Sequence, residues 1–401
     1  MISNPSHRPL RYATLMLTIV CALSLSGVAA FAELTLIGSK PPDENSNLLG
    51  HLRTFDHNGQ IRTARVIFPT AAPKDPNPVY PVVFWLHGTT PDATASDFYF
   101  NGFYDGELGQ KFVAVIPHGS PPNNQSGKFG WNHAPINGAS KLPGGGIYDY
   151  DDIGFLYELC QRLYKEPRIQ NGKKGFYFIG HSAGGFMAQR MAMVCEATQG
   201  LSPSGSSIHV PSSLTRNHQP LQDVSVQHPV PHTRKTGYPE GTQYGGLLIR
   251  PETKRYLFNL PMDRKVRYVH VNGECDPKAL WGGNMPPGEG NLPDDCFTAP
   301  TWTQKDAETS GMPFFPILKA ANTWADWNGG QTASWTVEDG IIHDKKGTAF
   351  SYRSYFKPIS PSTTADDVWV IRLKETAHGG PAFIAMKELR LKLLLGQEWQ
   401  P

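Results

Sequence analysis

Phe176-Tyr177-Phe178-Ile179-Gly180-His181-Ser182-Ala183-Gly184-Gly185-Phe186-Met187 is the stretch that decides how this chain is read. Residues 176–179 are aromatic and β-branched, as in a short buried strand. After the glycine-flanked serine, Phe186, Met187, Met191 and Val194 recur at the spacing of an apolar helix face. A serine hydroxyl is a poor nucleophile until a base takes its proton. Held on a tight strand-to-helix turn it is presented to both base and substrate, and Gly180 and Gly184 remove the side chains that would clash there. A bare G-x-S-x-G recurs by chance as a Gly-Ser turn; the strand before it and the helix after it make Ser182 the candidate nucleophile.

Working outward, residues 61–68, 79–86 and 112–117 read as strands closed by Pro or by His-Gly. Asp151 and Asp152 open an amphipathic helix over 152–165 with Ile153, Leu156, Leu159 and Leu163 on one face. The region 201–263 is rich in Pro, Ser, Gly and His; 206–210 reads as a strand and 214–263 as an insertion over the core. A strand at 266–271 precedes a loop over 272–301. A helix at 317–327, a strand at 368–373 and a helix at 381–395 complete the order. Strands separated by helices, with chemistry at strand ends, predict an α/β chain whose central sheet is mainly parallel and covered by helices on both faces.

An acid and a base should follow the serine in that order, each in a loop just past a strand. Asp276, in Val271-Asn272-Gly273-Glu274-Cys275-Asp276-Pro277, meets the first requirement, with Glu274, Asp294 and Asp295 as rivals. His378, in Thr376-Ala377-His378-Gly379-Gly380-Pro381, is the histidine that combines a strand end, a following helix and a position after Asp276. Two backbone amides should meet the oxyanion: that of Ala183, after the nucleophile, and that of Thr89, in Leu86-His87-Gly88-Thr89-Thr90.

Composition narrows the function classes. Lys plus Arg is 37 against Asp plus Glu 35, a net charge of +2 without long like-charge runs, which gives no footprint for nucleic acid. Arg8 and Arg11, the apolar residues 12–25 and Ala30-Phe31-Ala32 read as a removable secretory signal over 1–32. The apolar run is short for a membrane anchor, and Val20 before Cys21 is too bulky for a lipoprotein signal. The remainder, 33–401, reads as one catalytic domain. Cys160, Cys195, Cys275 and Cys296 then form an even set in an oxidising compartment, and neighbours in sequence are the favoured pairs. His209, His218, His228 and His232 match no metal-ligand spacing, so neither metal nor cofactor is expected.

Several further motifs carry a family resemblance: Trp85-Leu86-His87-Gly88, Ile116-Pro117-His118-Gly119, Gly130-Trp131-Asn132, Asp151-Asp152-Ile153-Gly154-Phe155, Trp324-Ala325-Asp326-Trp327-Asn328-Gly329-Gly330 and Ala377-His378-Gly379. With the Ser182 motif they make residues 61–395, apart from the insertion, resemble the polyhydroxybutyrate depolymerase and feruloyl esterase group of secreted α/β-hydrolases. The resemblance implies a Ser182-Asp276-His378 triad, puts Trp131 and His181 beside the substrate, and gives 324–330 a structural role. It implies an ester substrate: a hydroxyalkanoate oligomer, a hydroxycinnamate or a short acyl ester. This chain departs from the group in the Asn272-Gly273 that precedes its acid and in the long insertion. A peptidase or acyltransferase could use the same triad. A non-catalytic binding protein would instead present Tyr99, Phe103 and Trp131 as exposed contacts.

Overall fold

The structure is a computed structural model. It describes residues 34–41, 50–57, 59–69, 79–92, 108–120, 129–132, 140–141, 147–148, 152–169, 175–195, 197–205, 243–244, 247–248, 266–276, 317–328, 335–357 and 368–396. The expected signal at 1–32, the strand at 206–210, the insertion at 214–263, the four histidines within 209–232, and Tyr99, Phe103, Asp294, Asp295 and Cys296 lie outside them.

Eleven strands form one sheet: β1 (Thr35–Lys40), β2 (His51–His57), β3 (Gln60–Ile67), β4 (Val82–Leu86), β5 (Val113–Pro117), β6 (Phe176–His181), β7 (Thr198–Ser204), β8 (Arg267–Gly273), β9 (Thr336–His343), β10 (Ala349–Lys357) and β11 (Val368–Leu373). Their spatial order is β1-β2-β3-β5-β4-β6-β7-β8-β11-β10-β9. The six central strands, β5 to β11 in that order, run parallel, and both margins are antiparallel. The sheet is therefore mixed, with five parallel and five antiparallel pairings, and the mainly parallel expectation holds for its centre alone. The margins were missed for a physical reason. Strand β9 is exposed along nearly its whole length, so it lacks the apolar run or clean alternation by which strands are read.

Among the described residues five α-helices cover the centre: α1 (Asp152–Tyr164), α2 (Ala183–Val194), α3 (Ile317–Trp327), α4 (Pro381–Ala385) and α5 (Lys387–Leu395). Strand side chains alternate between two cores, as the period of two demands. Val82, Phe84, Leu86 and Phe178 pack with Leu156, Cys160, Met187 and Met191 of α1 and α2 on one face. Val83, Trp85, Ile179 and Val271 pack with Phe383, Leu391 and Leu394 of α4 and α5 on the other. Trp324 of α3 stacks on Tyr268 with ring centroids 5.8 Å apart, and Asn328 makes a two-bond clasp on the backbone of Val266, 2.9 Å each way. Trp324 and Asn328 of the 324–330 motif thus have a structural role; residues 329–330 lie outside the described residues.

A strand that the sequence did not suggest follows α2 at Thr198–Ser204; its Thr-Gln-Gly-Leu-Ser-Pro-Ser has little β preference, and pairing on both sides between β6 and β8 overrides it. One local expectation is corrected. Cys160 and Cys195 are buried thiols and do not form the expected disulfide. Both lie in the apolar cluster beneath α1 and α2, where a thiol packs as a small hydrophobe. Cys275 is disulfide-bonded, and its expected partner Cys296 lies outside the described residues.

Candidate active site

Strand order fixes where a site can form. After β5 the chain returns to the other side of β4 to lay down β6, so the order reverses between β4 and β6. Loops leaving the carboxyl ends of neighbouring parallel strands diverge there and leave a crevice. His87-Gly88 leaves β4 and Ser182 leaves β6 at this point.

Ser182 links β6 to α2 with φ 50° and ψ −120°, one of two non-glycine residues with positive φ among the described residues. Such a backbone persists only when its surroundings enforce it. Its N–H donates to Ser204 O at 2.8 Å, and its carbonyl accepts from the Gly185 and Phe186 amides. A Cβ on Gly180 would overlap the Gly184 carbonyl, and one on Gly184 would overlap the carbonyls of Leu86 and His87. Both glycines of the motif are thus required by backbone packed on backbone. A serine at a helix N-cap ordinarily accepts a backbone N–H through its hydroxyl, but Ser182 makes no such bond.

The candidate acid and base come together from adjacent strand ends. Asp276, just past β8, and His378, past β11, meet with His378 Nδ1 at 2.9 and 3.0 Å from the two carboxylate oxygens. The Asp276 side chain is fully buried and that of His378 about one-fifth exposed, 0% and 22%. A carboxylate only accepts, so Nδ1 carries the proton and Nε2 its lone pair. Nε2 is buried and makes no hydrogen bond among the described residues. Gly205 joins this pair to the nucleophile: Ser204 O holds Ser182 N–H, and a Cβ on the next residue would lie 2.7 Å from His378 Cε1. Gly205 itself has φ +61°, so glycine is required there on both grounds.

The rival acid has another task. Glu274 pairs with Arg372 at 3.1 Å and accepts the N–H of Glu375, the second positive-φ residue, so it braces the turn leading to His378.

The β4 loop lies against the nucleophile, since a Cβ on Gly88 would come within 3.2 Å of Ser182 Cβ. Thr89, the oxyanion candidate, follows and is half-buried. The loop is held from behind: His87 Nε2 accepts the Gly119 amide at 2.9 Å, and the Trp131 indole N–H donates to His87 O at 2.7 Å. Ala183 opens α2, whose first-turn N–H groups have no acceptor within the helix. Trp131 is completely buried, not a groove wall or an exposed contact. Its loop is drawn inward by Asp152, which accepts the Asn132 amide at 2.6 Å, Ser120 Oγ at 3.1 Å and buried Arg62 at 2.5 Å. His181 is half-exposed; its ring lies 4.9 Å from that of His378 and 5.6 Å from that of Phe383.

Two contributors gave no readable signal in the sequence. Asn272 is fully buried; its Oδ1 accepts the Gly205 amide at 2.7 Å, and its Nδ2 reaches Asp276 Oδ2 at 3.4 Å and Gly273 O at 3.1 Å. Arg390 of α5, also buried, donates to Ser202 Oγ at 2.5 Å, to Ser202 O and to Gly180 O at 3.4 Å, beneath the elbow. Beside it His270 is fully buried, and desolvation, reinforced by the Arg390 charge, pushes its pKa down to about 3. Burial raises the Tyr268 phenol well above its ordinary range, so it stays protonated, and its hydroxyl shares a hydrogen bond with His270 Nδ1 at 2.9 Å.

The geometry defines a class: a mixed-sheet α/β protein with a strained serine elbow and a histidine–aspartate pair on neighbouring strand ends. No family model matches the chain, and no curated protein does. Among solved structures it is similar to an S-formylglutathione hydrolase from Agrobacterium tumefaciens, at 14% identity and a TM-score of 0.36 over 90% of this chain and 98% of that one. A thermostable esterase from Pseudomonas putida is similar at 12% identity and TM-score 0.30, over 65% of this chain and 70% of that one. A ferulic acid esterase is similar at 17% identity and TM-score 0.27, over 54% of this chain and 74% of that one.

Proposed function

We propose that this chain is an exported serine hydrolase of the α/β-hydrolase type that cleaves carboxylic esters through an acyl-enzyme, of the polyhydroxybutyrate depolymerase or feruloyl esterase kind. One observation carries the reading. The imidazole of His378 is held by a buried carboxylate through Nδ1, while Nε2 is buried without a hydrogen-bond partner among the described residues. That is the tautomer a general base needs. Ser182 Oγ attacks the ester carbonyl as Nε2 takes its proton. The amides of Ala183 and Thr89 meet the developing oxyanion. His378 returns the proton to the leaving alcohol, and Asp276 stabilises the imidazolium in between. Water, activated by the same imidazole, then attacks the acyl-Ser182 ester and releases the acid. Export rests on residues 1–32, and the chemistry calls for no cofactor.

The test is a side-by-side assay of hydroxyalkanoate oligomers, hydroxycinnamate esters and short acyl esters, with fluorophosphonate labelling of the active serine. Ser182→Ala should lose labelling and lower turnover by about three orders of magnitude or more with the fold intact. Near-normal hydrolysis by that variant would sink the assignment.

A further inference from the structure

A cavity of about 460 Å³ opens beside the loop that carries His378, within the roughly 300–1,000 Å³ typical of small-molecule sites. None of the three triad residues lines it, but Ala377 and Gly379, on either side of His378, both do. Its other walls are the start of β10, residues 349–351, and the first residues of α4. These walls are fixed in place. Lys374 N–H donates to Ser351 O at 3.0 Å, Cys275 N–H to Thr376 O at 2.9 Å, and Glu375 N–H to Glu274 at 3.1 Å.

The lining selects by chemistry. Phe350, Ala377 and Pro381 are apolar, and Ser351 and Thr376 bring hydroxyls. Lys374 and Glu375 cancel in charge, and Lys374 Nζ already lies 3.9 Å from Asp339. Such a cavity favours an uncharged, amphiphilic group and offers no net charge to an ion.

Gly379 both lines the cavity and faces His181, whose ring lies 4.9 Å from that of His378. Its backbone is not in the left-handed region, and a Cβ there would meet only His181 Nε2, at an ordinary 3.8 Å, among the described residues. Neither conformation nor packing requires a glycine, unlike Gly180, Gly184 and Gly205. The missing side chain leaves a low sill between the cavity and His181. The direction of the chemistry decides which part of a substrate crosses it. His378 hands its proton to the leaving oxygen, so the alcohol half of the ester lies on the His378 side.

We infer that this cavity is a leaving-group subsite, reached over Gly379, for an uncharged alcohol the size of a single ring or a short branched chain. The inference rests on the ester-hydrolase reading and extends it to the substrate's alcohol half. The test holds the acid constant and varies the alcohol, comparing kcat/KM for methyl butyrate and 2-phenylethyl butyrate by released butyrate. Wild type should favour the larger ester by about tenfold or more, the scale on which apolar pockets discriminate. Gly379→Val, which raises the sill, and Ser351→Trp, which fills the cavity from the opposite wall, should each reduce that ratio about tenfold, chiefly through KM. Calorimetric binding of 2-phenylethanol to the full chain should likewise be lost in both variants. An even-handed wild type, or an unchanged ratio in whichever variants fold, overturns the subsite. If wild type cleaves neither ester yet binds 2-phenylethanol in a Gly379-dependent way, the leaving-group role is overturned and only an alcohol-binding cavity is left; retained fluorophosphonate labelling of Ser182 then keeps the hydrolase reading, and its loss removes that as well. Failure of binding overturns the subsite.

Discussion

Asn272 ties the two halves of the proposed catalytic apparatus together, since one amide holds both Asp276, the candidate acid, and the Gly205 segment that anchors the Ser182 backbone. Asn272→Ala removes both holds without touching a reacting atom. It should lower kcat/KM about tenfold or more, because misplacement of this kind acts on the transition state; steady-state kinetics with a Tm check on folding decide it. Asn272→Asp is the sharper probe. A carboxylate there adds negative charge beside the Asp276–His378 pair, favours imidazolium and raises the His378 pKa. Activity needs the neutral imidazole, so the acid limb of the pH–rate profile should move to higher pH, whereas a purely structural defect would lower the profile without moving it. Neither role was legible in the sequence, because an asparagine at a strand end gives no chemical signal until its partners from distant segments are known. Ser182, Asp276 and His378 were legible as candidates because a nucleophile, acid and base of this kind would occupy strand ends in a set order, and the structure brings Asp276 and His378 together.

At the scale of elements, the elbow exists because β4, β6 and α2 touch through backbone alone. Gly184→Ala drives a methyl group into the Leu86 carbonyl, so α2 must lift away from β4. The loss should be about 1–3 kcal/mol or more, read as a fall in the denaturant midpoint. Arg390 supports the same junction from the opposite face. Arg390→Met keeps the bulk of the side chain but removes the guanidinium that lies 5.9 Å from the Trp85 ring centroid and leaves the Ser202 and Gly180 carbonyls without their cationic donor. Charge-assisted bonds of this kind contribute about 1.5–3 kcal/mol each, so a lower Tm with a loosened, less reactive Ser182 is expected. The central strands and both faces of helices could be read from apolar runs and 3.6-residue periodicity. Strand β7 could not, because its burial, and not its composition, makes it a strand. The β9–β10 hairpin was hidden for the opposite reason, since its solvated outer strand leaves no hydrophobic pattern. The resemblance places Trp131 beside the substrate, whereas here it is buried and its indole N–H donates to His87 O inside the fold.

Over the whole molecule, the buried imidazole of His270 couples folding to acidity. Its pKa is about 3 in the folded chain, against roughly 6.5 once unfolded. Above pH 6.5 it is neutral in both states and its contribution is fully present. As pH falls from there toward 3, the unfolded chain binds a proton that the folded chain refuses, and stability declines by up to about 1.4 kcal/mol per pH unit. Urea titrations between pH 7 and 4 should show this slope, and His270→Gln should flatten it. The group sits on β8 between the acid loop and α5, so acid unfolding should pull the catalytic pair apart with the sheet centre rather than fray the antiparallel margins first.

The positive φ of Ser182 also bears on the stability of this fold. A backbone held in such a region carries strain of about 1–3 kcal/mol, which a glycine in the same place would not. Ser182→Gly should therefore be inactive yet unfold at higher denaturant than Ser182→Ala, by an amount near 1 kcal/mol once the greater freedom of the unfolded glycine is allowed for. If so, this chain is less stable than its own architecture permits, as the proposed role of Ser182 would require.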